Sequence, residues 1–237
     1  MAGHSKWANI KHHKEKSDAS KGKLISRIAK ELISAVKQGG ADIKTNAKLR
    51  LVLQKARSAN VPNDVIERNL KKGSSADQGD YFEITYELYG YGGVGLVVDI
   101  MTDNKNRISS EMRIATNKRG GAVAEPGSVT FNFDRKGVIQ VAKGKIAEED
   151  LFMLISEAGA EDFEVEGDMY MIMTPVELLY QVKEALEKGG VSCDEVNLEM
   201  IPKHSVACDA EAREKNLSLI AWIEALDDVD TVYHNME

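Results

Sequence analysis

Four groups of residues have the types and spacing to do chemistry. The first is a glycine run, Gly90-x-Gly92-x-x-Gly95, with Val97 beyond it. Such a run cradles phosphate when a helix follows, because the first N–H groups of the helix face the anion. Here Leu96-Val97-Val98-Asp99-Ile100 follows and reads as a strand, and no H-R-D or D-F-G accompanies it as in a kinase. The run is therefore expected to be a hairpin turn. The second group is Cys193, His204 and Cys208, three candidate metal ligands at none of the usual zinc spacings. The third is Asp162, Glu164, Glu166 and Asp168, which alternate along an expected strand and so share a face. That face could bind Mg²⁺ in a hydrolase. A solvated edge strand whose like charges resist aggregation is the preferred account of it. No G-x-S-x-G, H-E-x-x-H or Walker loop occurs, and no nucleophile stands beside a base. The expectation is a non-enzymatic protein with no cofactor and no metal.

The fourth group is basic. His4, Lys6, Trp7, Lys11, His12, His13, Lys14 and Lys16 form an N-terminal arm. Lys21, Lys23, Arg27, Lys30 and Lys37 continue it along a helix, and Lys48, Lys55 and Arg57 belong to the next. Cations of this kind neutralise phosphates and release counterions. Trp7 can stack on an exposed base, worth about 1–3 kcal/mol, or plug the helical core. The three arm histidines lack a carboxylate cluster, so phosphate or base contact is expected of them rather than metal. Lys105, Arg107, Arg113, Lys118 and Arg119 make a secondary basic cluster.

The chain carries a formal charge of −7, yet the charge is polarised. Residues 1–75 hold 17 basic and 6 acidic side chains; the remainder holds 14 and 32. A basic first third on an acidic body suggests one end that meets nucleic acid and a body that does not bind it indiscriminately. Two cysteines and no C-x-x-C suit a reducing compartment. With no apolar leader and no membrane-length stretch, a cytoplasmic protein is expected. No symmetric dimer element is legible, so a monomer is expected.

Positioning these residues requires three modules. In the helix of Lys21–Lys37, Ile25, Ile28, Leu32 and Val36 share one face, while Lys23, Arg27, Lys30 and Lys37 lie opposite. Gly39-Gly40 ends it, Asn46 caps a second helix, and Pro62-Asn63-Asp64 opens a third that closes at Gly73. Strict alternation then predicts a strand through Phe82, Ile84, Tyr86 and Leu88, a second from Val94 to Met101, and a helix from Asp103-Asn104 to Lys118. Short strands are expected at Ala122–Ala124 and Ser128–Phe133. From Lys136 the order is strand (Val138–Ala142), helix (Glu148–Ala158), strands (Phe163–Glu166 and Met169–Met173), helix (Pro175–Lys188) and strand (Val196–Ile201), the ferredoxin-like sequence of elements. A final helix, Ala210–Leu226, and a strand, Thr231–His234, have no partner there and complete the preceding unit. The expected class is α+β: an N-terminal three-helix domain (1–78), then two ferredoxin-like α/β domains. The third (135–204) is inserted into the second (79–134 and 205–237).

The opening M-A-G-H-S-K-W-A-N-I-K-H-H-K resembles that of the YebC/PmpR family, which includes the mitochondrial translational activator of cytochrome c oxidase. Lys21-Gly22-Lys23, Tyr86-Glu87, Tyr89-Gly90, Gly92-Gly93, Asp103-Asn104-Lys105-Asn106-Arg107, Lys118, Gly120-Gly121 and Gly127-Ser128-Val129 extend the likeness. Leu88 and Tyr91 stand where the family often has Gly and Pro, and Ile114 where His is common. The resemblance implies a helical domain and two α/β domains. It also implies a DNA-binding transcriptional regulator or, as for some members, a factor tied to ribosomal RNA and translation that relieves stalling at proline runs. The expected partner is thus nucleic acid, DNA or ribosomal RNA, with the ribosome as one setting.

Overall fold

The computed structural model describes residues 17–75 and 79–237, with side chains from Gly22 onward. Among the described residues three helices come first: α1 (Ser17–Gly39), α2 (Ala47–Ser58) and α3 (Asn63–Gly73). α2 and α3 are too short to persist alone. Ile28, Leu32 and Val36 of α1 close over Leu49, Val52, Leu53 and Ala56 of α2 and Ile66 of α3, with Ile25 at the margin. This is the stripe that helical spacing predicts. Asn46 caps α2: its Oδ1 accepts from the Leu49 N–H at 2.9 Å, and its amide donates to the Ala35 and Gly40 carbonyls at 2.7 Å each. One side chain thereby fixes both the end of α1 and the start of α2. At Gly73 a Cβ would stand 2.8 Å from that of Val36, so glycine lets α3 cross α1 closely.

The chain forms two compact units. One contains these helices, a first sheet and the segment Val206–Met236; the other spans Thr130–Ser205. The first sheet is antiparallel, in the order β3 (Ala122–Val123), β1 (Phe82–Tyr89), β2 (Gly95–Thr102), β8 (Val229–His234). Two helices, α4 (Lys105–Arg119) and α7 (Ala210–Glu224), cover one face. Ile108, Met112, Ala115, Leu219 and Ile223 pack there on Leu88, Leu96, Val98, Ile100 and Val232. Complete burial contributes about 1.5–3 kcal/mol for each large side chain. The glycine run makes the β1–β2 hairpin turn, with Gly92 at φ 67°. It is followed by a strand and so presents no helix end to phosphate. The first sheet starts with a hairpin before the first helix that covers it, whereas the other unit follows the βαββαβ order.

The second sheet runs β5 (Asp162–Glu166), β6 (Met169–Thr174), β4 (Phe133–Ala142), β7 (Glu195–Pro202), all antiparallel. Two helices, α5 (Glu148–Ala158) and α6 (Leu179–Lys188), meet it over Ile139, Val141, Tyr170 and Ile172. The mixed α+β class holds, with helices first and two antiparallel four-stranded sheets.

Among the element boundaries that differ from expectation, two change the strand pattern. Residues 128–132 are not strand. The Glu87 carboxylate accepts from the Gly127 and Val129 N–H groups at 2.6 Å each, which draws this segment off the ladder, and Thr130–Asn132 then turns. Conversely, β4 begins at Phe133 rather than Val138. Asp134-Arg135-Lys136 hides it from an apolar pattern, yet this stretch pairs with Glu199–Ile201 in β7.

Candidate nucleic-acid interface

The basic face of α1 is turned inward. Lys23 Nζ donates to the carbonyls of Glu224 and Leu226. Arg27 bonds Glu31 at 3.0 Å and the Thr231 hydroxyl at 3.3 Å, and lies 3.6 Å from Asp230. Lys30 reaches the Met101 and Asp227 carbonyls at 3.0 Å each and the Asp228 carboxylate at 3.1 Å. Lys55 comes from α2 to Glu31 at 2.8 Å. Lys48 bonds Gln38 and Glu83, and Lys37 bonds Asp80. The face that helical periodicity assigns to a polyanion is therefore a seam with the first sheet. Asp230 and Asp228, which meet Arg27 and Lys30, come from a segment about two hundred residues away, which periodicity within the helix cannot reveal.

Burial sharpens this seam. It pushes the Asp230 carboxyl up to about 6, against the pull of Arg27 and Lys30, with Glu31 adding to the rise. Burial would also raise Asp228, but hydrogen bonds from Arg107, Thr102 and Lys30 hold it below the usual carboxylate range. Lys55 is lowered by burial and by neighbouring Arg27, despite Glu31. For Arg27, burial is outweighed by Asp230 and Glu31, so its charge is secure.

The cations left facing outward belong to α2, α3 and the α1–α2 turn. Lys44, Arg50, Arg57, Arg68, Lys71 and Lys72 are all exposed. Arg50 and Arg57, with Gln54 between, follow one face of α2; Arg68, Lys71 and Lys72 follow one face of α3. Arg50 is braced by the Ile43 and Lys44 carbonyls at 2.8 Å each. Of these six only Arg57 is among the residues singled out from sequence. The signal for the others was their position opposite Leu49, Val52, Ile66 and Leu70.

The secondary cluster divides. Arg113 and Lys118 are exposed on α4. Arg107 is held by Asp103 at 2.7 Å and Asp228 at 2.6 Å. Lys105 Nζ sits 4.1 Å over the Phe82 ring, and the Arg119 guanidinium 4.9 Å over Trp222. His4, Lys6, Trp7, Lys11, His12, His13, Lys14 and Lys16 lie outside the described residues, as does the side chain of Lys21.

Among the described residues no three His, Cys, Asp or Glu gather as metal ligands. Asp162, Glu164 and Glu166 belong to β5, while Asp168 falls in the turn before β6. Burial raises the Cys193 thiol to about 11, which makes it a poor nucleophile at neutral pH. Among the described residues no helix is long and apolar enough to cross a membrane.

These features define a class: a three-helix module with outward cations, joined to two antiparallel α/β layers. Residues 5–76 match the model of the TACO1/YebC protein N-terminal domain, and residues 81–236 that of the TACO1/YebC second and third domain. The chain belongs to the TACO1/YebC family. It is 65% identical over 237 residues to a probable transcriptional regulatory protein of Protochlamydia amoebophila, covering all of this chain and 97% of that one. It is 56% identical to a protein of the same description from Chlamydia muridarum, over the full length of both. Among solved structures, a conserved hypothetical protein from Aquifex aeolicus aligns with a TM-score of 0.84 at 40% identity, covering 98% of this chain and 97% of that one.

Proposed function

We propose that this protein is a non-enzymatic regulator of gene expression that holds nucleic acid against the outward face of its helical module. The observation that carries the reading is the division of cations in that module. Lys23, Arg27, Lys30 and Lys55 serve the seam, while Arg50, Arg57, Arg68, Lys71 and Lys72 point to solvent. The arm, with Lys6, Lys11, Lys14 and Lys16, adds cations at the same end of the sequence. Arg113 and Lys118 offer further contacts. Several exposed cations on one module can neutralise phosphates, and affinity of that kind falls steeply with salt. The names of the relatives support a regulator.

The test is binding of the full chain to duplex DNA and to a structured RNA over a range of salt. Reversing Arg57, Lys71 and Lys72 to Glu is expected to weaken binding and lower the salt slope by about one per lost phosphate contact. An unchanged slope would remove the helical face from the interface. The more tightly bound nucleic acid at matched salt separates action on promoters from action on ribosomal or messenger RNA.

A further inference from the structure

Both faces of the second sheet are buried. One lies under α5 and α6. Along the middle of the other run Met169, Met171 and Met173 of β6, with Val138 of β4 directly across from Met173. The outer strands give this face acidic banks. On β5, Glu164 stands across from Met171 and Glu166 from Met169; on β7, Glu195 and Glu199 share the same side. An antiparallel sheet commonly leaves its second face to water. Here Val138, Met171, Met173 and Ile201 are only 2–6% exposed. Among the described residues, the apolar side chains of their cluster are one another and Met169. The edge strand β5 repeats the anomaly. Val165, on the helix-covered side, is 41% exposed, while Glu164 and Glu166 are half-buried and engaged. A strand that used its glutamates to keep an edge solvated would show the reverse.

We infer that this face is the seat of the chain's own N-terminal arm. Charge complementarity names the occupant. Residues 1–14 hold Lys6, Lys11 and Lys14 and no carboxylate side chain, and they set Trp7 and Ile10 between the first two lysines. Methionines bend to receive an aromatic ring and gain from contact of sulfur with it. Lysines on either side of that ring can reach both acidic banks, which lie three strand spacings or about 14 Å apart. The 16 residues before Ser17 extend up to about 55 Å, more than the face requires. Other occupants fit less well. The banks repel a nucleic-acid strand, and the same face of a second copy would set carboxylates against carboxylates. Seated there, the arm has its cations matched by glutamates, and a polyanion must compete with those glutamates to draw it off.

The test uses the full chain carrying Trp222→Phe, which leaves Trp7 as its single tryptophan. Its emission is expected to be blue-shifted, and several-fold less quenched by acrylamide than in the urea-unfolded chain. Glu164→Lys together with Glu166→Lys should remove most of that protection while circular dichroism stays unchanged. Should the double variant fail to fold, methyl-labelled methionine NMR gives a second reading. Trp7→Leu should then move the Met171 and Met173 methyl resonances out of ring-shifted positions. A Trp7 as open to acrylamide in the folded chain as in the unfolded one would overturn the inference. So would protection that survives both charge reversals in a folded variant, or methionine resonances that ignore Trp7→Leu. None of these readouts involves nucleic acid, so the seat and the function proposed above can fail separately.

Discussion

Arg107 and Asp228, 121 positions apart, meet at 2.6 Å, and the same carboxylate holds Lys30 through its other oxygen at 3.1 Å. Thr102 donates to it at 2.8 Å. One aspartate thus ties α1, the end of β2 and the first turn of α4 to the segment before β8. Its side chain is 7% exposed, so this carboxylate has few alternatives in water to the cations it holds.

Asp228→Ala is expected to cost about 3–5 kcal/mol, because it leaves partly buried Lys30 without its carboxylate and removes one of two from Arg107. Urea unfolding of the full chain, followed by helical circular dichroism, measures it. A loss below about 1 kcal/mol would show that the seam relaxes around the missing group.

Asp230 predicts an unusual pH response. Its folded pKa of about 6 lies above the ordinary carboxylate value. Between the two values the folded chain binds more protons than the unfolded chain, so stability through this residue falls as pH rises and is regained on acidification from 7.5 toward 5. The size is up to about 3 kcal/mol for a shift near two units. Asp228, held low, has the opposite sign: its contribution is lost only as pH falls below the ordinary carboxylate range. Thermal midpoints at pH 7.5, 6 and 5 should therefore rise, and Asp230→Asn should flatten that rise while stabilising the protein at pH 7.5.

Asn216 is fully buried and closes the β1–β2 turn from α7. Its Oδ1 accepts from the Tyr91 N–H at 2.8 Å and its amide donates to the Tyr91 carbonyl at 3.0 Å. Asn216→Leu removes both bonds and leaves the turn's polar groups buried. A loss of about 1–3 kcal/mol is expected, together with faster hydrogen exchange at Tyr91.

Local pattern made much of the fold legible. Ile28, Leu32 and Val36 mark the buried side of α1, Asn46 and Asn104 cap the helices that follow them, and alternation from Phe82 to Leu88 marks β1. Each of these signals lies within one element. The basic face of α1 was misleading for the complementary reason. The spacing of Lys23, Arg27 and Lys30 is real, but what they face is decided by Asp228 and Asp230, which only the fold brings near.

Because β8 completes the first sheet beside β2, that sheet must wait during synthesis. Thr130–Ser205 leaves the ribosome earlier and holds all the strands of its own sheet, so it can fold first. Until β8 emerges, the edge of β2 stays open and the cations of α1 have no carboxylates from the tail to meet. The growing chain therefore passes through a stage in which Arg27 and Lys30 lack Asp230 and Asp228, until the segment at β8 supplies them.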